Sequence, residues 1–160
     1  MSSSKKTKKS LKKILNTVLL GIFFICFLFL YISSKEVKRY PLFIGSHSLA
    51  VEVVRSPLGL YKGLGGRESL GIGEGMLFIF PDVARHGIVM REMLFPIDII
   101  WLHEGRVIDM AQNVAHQPGA TEEGLISYLP RKEVDMVLEL PAGAVKQYNI
   151  SIGDVVTTGF

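Results

Sequence analysis

From Ile14 to Ile32 the chain reads ILNTVLLGIFFICFLFLYI, an uncharged run in which only Asn16 and Thr17 are clearly polar. At ~1.5 Å per residue a helix of this run rises roughly 28 Å, close to the ~30 Å of a bilayer's hydrocarbon layer. A helix lying on a protein core would keep a polar stripe, and Leu19 to Ile32 shows none. One transmembrane helix is therefore predicted over residues 14–33. Beyond it the pattern shortens into strand-like runs: LAVEVV (49–54), GMLFIF (75–80), HGIVM (86–90), PIDIIWL (96–102), RVIDMAQNV (106–114), VDMVLEL (134–140) and ISIGDVVTT (150–158). They are rich in Ile, Val and Phe and are punctuated by Gly, Pro and Asp, the pattern of a small antiparallel β-sandwich or barrel-like domain.

Two short helices fit around these strands. Ser56-Pro57 offers a capping hydroxyl and a proline at the first helical position, with Leu58, Tyr61 and Leu64 at helical spacing, although Gly59 and Gly63 weaken the helix. The second runs from Pro141 to Tyr148 and ends at Asn149, which tolerates a left-handed cap. His103-Glu104-Gly105 reads as a hairpin turn that pairs the strands on either side. The stretch from Ala115 to Lys132 has no periodicity, and a connection of that length lids a site or moves freely. The expected organisation is a basic tail (1–13), the membrane helix (14–33), a stalk (34–48) and a mainly β outer domain (49–160).

Charge changes the picture through its placement. Six lysines and no acid occupy residues 1–13, whereas residues 35–160 hold 12 basic and 15 acidic side chains. The pI near 9.0 thus comes from the tail, and the folded region has no general basic character to attract nucleic acid, so no such partner is expected. Lysine asymmetry puts the amino end in the cytoplasm and the β domain outside it, at the cell membrane. The tail should lie along the anionic inner leaflet, which holds that topology. A cleaved signal peptide is the competing reading, but no A-x-A site follows the run and only Ser33 and Ser34 are small. Cys26, the sole cysteine, lies mid-span and excludes an intrachain disulfide framework.

Farther along, Arg67-Glu68-Ser69-Leu70, Glu74 to Pro81, Met90-Arg91, Pro96 to Ile100, Arg106 to Asp109, Val137 to Gly143 and Ile152 to Val156 recur in an order and spacing that resemble domain of unknown function 192. The resemblance covers roughly residues 50–157. It implies a compact β-sandwich-like domain with one helix after the first strand and another after the VLELPAG strand, and it brings no established reaction. Ile88-Val89-Met90-Arg91-Glu92-Met93 departs from the family pattern, which has an aromatic-Trp pair before a Met-Lys step and Asn-Thr after it. Where that segment lines a pocket, this chain lacks the aromatic wall.

Arg67, Arg91, Asp98 and Glu139 are charges set within apolar or glycine-rich runs, and an inward-facing charge needs a partner. Arg91 and Asp98 meet if the 92–97 connection reverses the chain. The ligand-binding candidates are Arg67, Arg91, Asp98 and Asn113, arranged as a polar cleft for a small polar or anionic ligand; the alternative is that the charges only face solvent or fix strand register. His86, His103 and His116 do not fall at metal-ligand spacing, and no metal or cofactor is expected. No G-x-S-x-G elbow occurs, and neither the 63–66 nor the 71–75 glycine run matches a phosphate-binding loop. The methionines Met76, Met90, Met93, Met110 and Met136 read as core filler. The leading functional expectation is a membrane-anchored, non-catalytic binding domain. A hydrolase using Asp98 or Glu139 with Arg67 or Arg91 is the second. The third is a structural partner of another membrane protein, docking through Ile88-Val89 and Met93-Leu94-Phe95.

Overall fold

The computed structural model of the chain describes residues 3–33 and 37–160, except for the side chains of 3–13 and 31–33. Residues 1–2 of the expected tail, its lysine side chains and residues 34–36 of the expected stalk lie outside what is described. The chain forms two compact units, Met1–Val37 and Lys38–Phe160. The first is a single helix, α1 (Ser3–Ser33). As far as the described residues run, no helix is both long and apolar enough to cross a membrane.

The second unit begins earlier than expected. Residues assigned to a stalk form β1 (Arg39–Ile44), which turns at Gly45 into β2 (His47–Val54). The charged residues before it and Pro41 hide this strand in the sequence. Pro41 is tolerated because the pairing of β1 with its other neighbour covers only Leu42 to Ile44, where no proline must donate. Next come α2 (Pro57–Lys62), β3 (Glu74–Ala84), β4 (Ile88–Val89), β5 (Ile97–His103), β6 (Arg106–Val114), β7 (Ser127–Tyr128), β8 (Val134–Pro141), α3 (Ala144–Gln147) and β9 (Val156–Thr158). Ser56 caps α2 as expected, its Oγ accepting from the Gly59 amide at 3.2 Å. The second helix is shorter than expected, with Asn149 beyond it at φ 51°. Of the run 150–158 only its end is a strand, and of 86–90 only Ile88–Val89.

Seven strands form one sheet in the order β6-β5-β8-β3-β2-β1-β9. Its pairings are antiparallel apart from β2 with β3, whose parallel register requires the crossover that carries α2. The hairpin between β5 and β6 is tight, with Glu104 at φ 49° and Gly105 at φ 67°. The sheet then closes on itself. Arg106 bridges Val155, the Val107 amide donates to the Asp154 carbonyl at 2.9 Å, and the Val156 amide donates to the Gly105 carbonyl at 2.7 Å. A methyl on Gly105 would lie 3.1 Å from the carbonyl oxygen of Val156, so glycine serves both the turn and the closure.

Closure divides the apolar side chains into two sets. Leu42, Val51, Leu77, Ile100, Val107, Leu138 and Val156, one from each strand, pack inside with Val145 and Ile150. The alternate residues of the central strands, Met76 and Phe78, Ile97, Ile99 and Trp101, and Val137, form a second cluster on the outer face. Leu64, Ile88, Met90 and Met93 cover it. The segment 88–95 is therefore mostly turned into this cluster, and Leu94 is its exposed large apolar member.

Strand alternation also fixes Asp98. It points opposite to Ile97 and Ile99, is fully buried, and accepts from the Asn113 amide at 2.7 Å and the Val145 amide at 2.8 Å. It thereby ties the left-handed bend at Asn113 to the start of α3. Asp98→Ala leaves the buried Val145 amide and the part-buried Asn113 amide without their partner and should destabilise the domain by roughly 2 kcal/mol, with Asp98→Asn costing less; denaturant unfolding followed by Trp101 fluorescence measures both.

Candidate functional site

On the outer face the register aligns Glu52, Met76, Glu139 and Ile99 in one row across β2, β3, β8 and β5. Both carboxylates are buried, with Met76 between them. Glu52 is compensated by a fork from Arg67, whose Nη1 and Nη2 donate to its two carboxylate oxygens at 2.5 and 2.6 Å. Arg39 adds a second cation, 3.0 Å from Glu74 and 3.8 Å from Glu52. These bonds to Glu52, with the charges of Glu74 and Glu139, raise the Arg67 pKa further. Glu139 lacks an equivalent partner. Its Oε2 is buried with no hydrogen bond, and desolvation pushes its carboxyl up to about 8 against the opposing pull of Arg67.

Glu139 borders a cavity of about 230 Å³ whose other walls include Phe78, Ile88, Met93 and Arg91, together with the backbone around Gly63 and Gly87. Arg91 also borders a wider cleft of about 580 Å³, between Tyr61 and the 116–125 stretch. Its guanidinium lies 3.8 Å from the centre of the Tyr61 ring and donates through Nη1 to the Tyr61 carbonyl at 2.8 Å. The remaining fork is taken by Glu122, with Nε donating to Oε2 at 2.9 Å and Nη2 to Oε1. That pairing raises the Arg91 pKa and lowers that of Glu122.

Local backbone chemistry sets Arg91 in place. Glu92 is held at φ 53°, uncommon for a residue with a side chain. The Gly66 amide donates to the Glu92 carbonyl at 2.9 Å, and a methyl on Gly65 would lie 2.9 Å from the Arg91 carbonyl oxygen. The 63–66 glycines thus let the α2 connection lie against the Arg91 backbone. The 115–132 stretch is pinned rather than free. Glu122 holds its middle, β7 pairs with β4, and its end is fastened where Arg131 donates to Asp109 through Nε at 3.0 Å and Nη2 at 2.5 Å. Those bonds hold the Asp109 carboxyl below its ordinary range.

Over residues 42–158 the sequence matches DUF192, a family described as uncharacterized ACR. The chain belongs to that family. Two solved structures share its fold. One, described as a putative transcription regulator from Sinorhizobium meliloti 1021, is 29% identical with a TM-score of 0.64, the match covering 75% of this chain and 92% of that one. The other, a protein of unknown function from Novosphingobium aromaticivorans DSM 12444, is 26% identical with a TM-score of 0.68, covering 77% and 87%. Among curated proteins no match is found.

Within this DUF192 domain the expected site residues divide. Arg67 and Arg91 share the outer face, whereas Asp98 is enclosed on the inner face and Asn113 contributes only a backbone amide to it. Arg91 does not meet Asp98; strand alternation turns Asp98 inward, and Arg91 pairs with Glu122 from the long connection. Asp98 and Glu139 likewise face opposite sides of the sheet, so they cannot serve one reaction centre as acid and base. Glu122 and Tyr61 were not singled out in the sequence, because each acquires its role only through a partner 30 or more residues away. The segment that departs from the family pattern, Ile88 to Met93, does line the cavity.

A carboxyl raised from 4.5 to about 8 keeps a proton in the folded state that the unfolded chain releases. Stability should therefore fall as pH rises through that window and level off on either side. Glu139→Gln removes the slope. Its stability relative to the wild type should rise by a few kcal/mol between about pH 5 and about pH 9, as read by denaturant midpoints at each pH.

Proposed function

We propose that this chain is a membrane-anchored binding protein whose DUF192 domain, held outside the cytoplasm, takes a small polar or anionic ligand into the Glu139 cavity without transforming it. The observation that carries the binding reading is the Glu139 carboxyl, buried at the cavity wall with one oxygen unpartnered, beside an arginine that borders the same space. A buried polar atom left without a partner costs free energy that a bound ligand can recover. Binding is favoured over hydrolysis because the nearest buried carboxylate in the same row, Glu52, is already committed to Arg67.

Support for the anchor comes from the sequence and from α1. The apolar run continues to Ile32, past the side chains described in the helix, and a lone helix has no means of burying such a surface in itself. The tail lysines favour retention of the amino end in the cytoplasm. Nucleic acid is disfavoured as a partner: residues 38–160 carry 11 basic against 14 acidic side chains. That a solved relative is described as a putative transcription regulator does not outweigh this balance.

After lysis the full-length chain should sediment with membranes, resist carbonate extraction and be released by detergent. An alkaline phosphatase fused after Phe160 should be active, and its inactivity alongside a fluorescent cytoplasmic reporter would reverse the orientation. For binding, unfolding of the detergent-solubilised chain can be followed through Trp101 against small organic acids, alcohols and amines. At least one should raise the melting temperature of the wild type and not of Arg91→Ala; no shift from any class would overturn the binding reading.

A further inference from the structure

We infer that the ligand is a small organic carboxylate and that Glu122 is its internal stand-in, occupying the Arg91 fork until the ligand's acid group displaces it. This rests on the binding reading above and names the chemistry of its occupant.

Arg91 and Lys62 are the cations that border the Glu139 cavity, and Arg91 also borders the adjoining cleft. Its guanidinium is oriented by Tyr61 from two directions, through the ring and through the carbonyl, so its direction does not depend on Glu122. What Glu122 takes is the Nε and Nη2 edge, the planar pair of donors that fits a carboxylate in two-point contact. The Arg67–Glu52 and Arg91–Glu122 pairs differ in the exposure of their acids. Glu52, the partner of Arg67, has a side chain only 7% exposed, whereas that of Glu122 is 53% exposed and sits on a single 3-10 turn, Glu122–Gly124. The Glu122 carboxylate is thus open to water, and another carboxylate can compete with it for the same fork.

Glu122 lines the wider cleft and Glu139 the smaller cavity, so a ligand seated on this fork reaches Glu139 past Arg91, and the Glu139 cavity selects what the carboxylate is attached to. Phe78, Ile88 and Met93 offer apolar contact to a short hydrocarbon body, and the unpartnered Glu139 oxygen awaits a hydrogen-bonding group at its far end. Arg91 and Lys62 at the walls, with Arg67 acting on Glu139 from nearby, disfavour a free ammonium there. The occupant that satisfies all three features is a short acid carrying a hydroxyl or carbonyl.

Four probes test this on the full chain in detergent, with melting of Trp101 fluorescence and calorimetric titration as readouts: 4-hydroxybutyrate, butyrate, 1,4-butanediol and 4-amino-1-butanol. 4-Hydroxybutyrate should bind most tightly and the diol at least about tenfold more weakly, the value of one charge-assisted pair. Arg91→Ala should weaken 4-hydroxybutyrate about tenfold or more. Glu122→Gln should strengthen it about twofold to fivefold, since the competing carboxylate is gone. Glu139→Gln keeps a hydrogen-bonding group and should preserve the preference for 4-hydroxybutyrate over butyrate, which Glu139→Leu abolishes. Diol or amino alcohol binding as tightly as the acid, or Glu122→Gln leaving the acid's affinity unchanged, would overturn the carboxylate assignment while the cavity stands as a binding site. No binding by any of the four would overturn both.

Discussion

The central strands of the domain are apolar on both faces, and the rest of the architecture answers that constraint. Curling the sheet until β6 meets the segment entering β9 buries one face of every strand. It cannot bury the other. Met76, Phe78, Ile97, Ile99, Trp101 and Val137 still need a cover, and without repeated helices the chain builds one from its connections. The β2–β3 crossover supplies Leu64, and the excursion between β3 and β5 supplies Ile88, Met90 and Met93. A cover assembled from loop segments does not fill space as completely as a second layer of regular elements, and the cavity beside Glu139 lies under it.

Within the described residues four acidic groups are buried, Glu52, Asp98, Asp109 and Glu139. Each of the first three is matched by the fold: Asp98 by two backbone amides, Asp109 by Arg131 and its own strand, and Glu52 by the fork of Arg67. These are the arrangements that let a charge remain in a core, since an uncompensated one is costly. Glu139 departs from them. It occupies the same row as Glu52, two strands away, yet Arg67 is spent on Glu52 and reaches Glu139 only through space. Three compensated acids show that this fold can supply partners where stability requires them, and the uncompensated fourth, at a cavity wall, is the observation on which the proposed binding role rests.

Much of the fold was legible because the strands obey simple alternation. RVIDMAQNV coincides with β6, and the His103-Glu104-Gly105 turn and the Ser56 cap lie where residue chemistry puts them. The strand β1 was not, because Pro41 and the neighbouring charges look like a linker until β2 and β9 are seen to flank it. The DUF192 motifs fixed the family but not the site. Of the four residues expected to form one cleft, Arg67 and Arg91 lie on the same face but border different cavities. Which face Asp98 takes depends on register, and one residue's alternation separates it from Glu139. Glu122 was invisible in the sequence, where it is one of two consecutive acids in an aperiodic stretch, and only the tertiary fold brings it to Arg91.

Arg67 and Arg91 show how the same pairing can serve opposite ends. Arg67 and Glu52 join β2 to the crossover segment through a part-buried contact in which the carboxylate is shielded from water, so that contact contributes to holding the cover on the sheet. Arg91 and Glu122 join the cover to the 115–132 connection, and there it is the carboxylate that stands open to water. The connection does not depend on that contact to stay folded. Its far end is fastened by Arg131 to Asp109, and β7 is paired with β4. Glu122 can therefore leave Arg91 while the stretch on either side keeps its place, which confines any exchange at Arg91 to one turn of chain and leaves the barrel beneath it undisturbed.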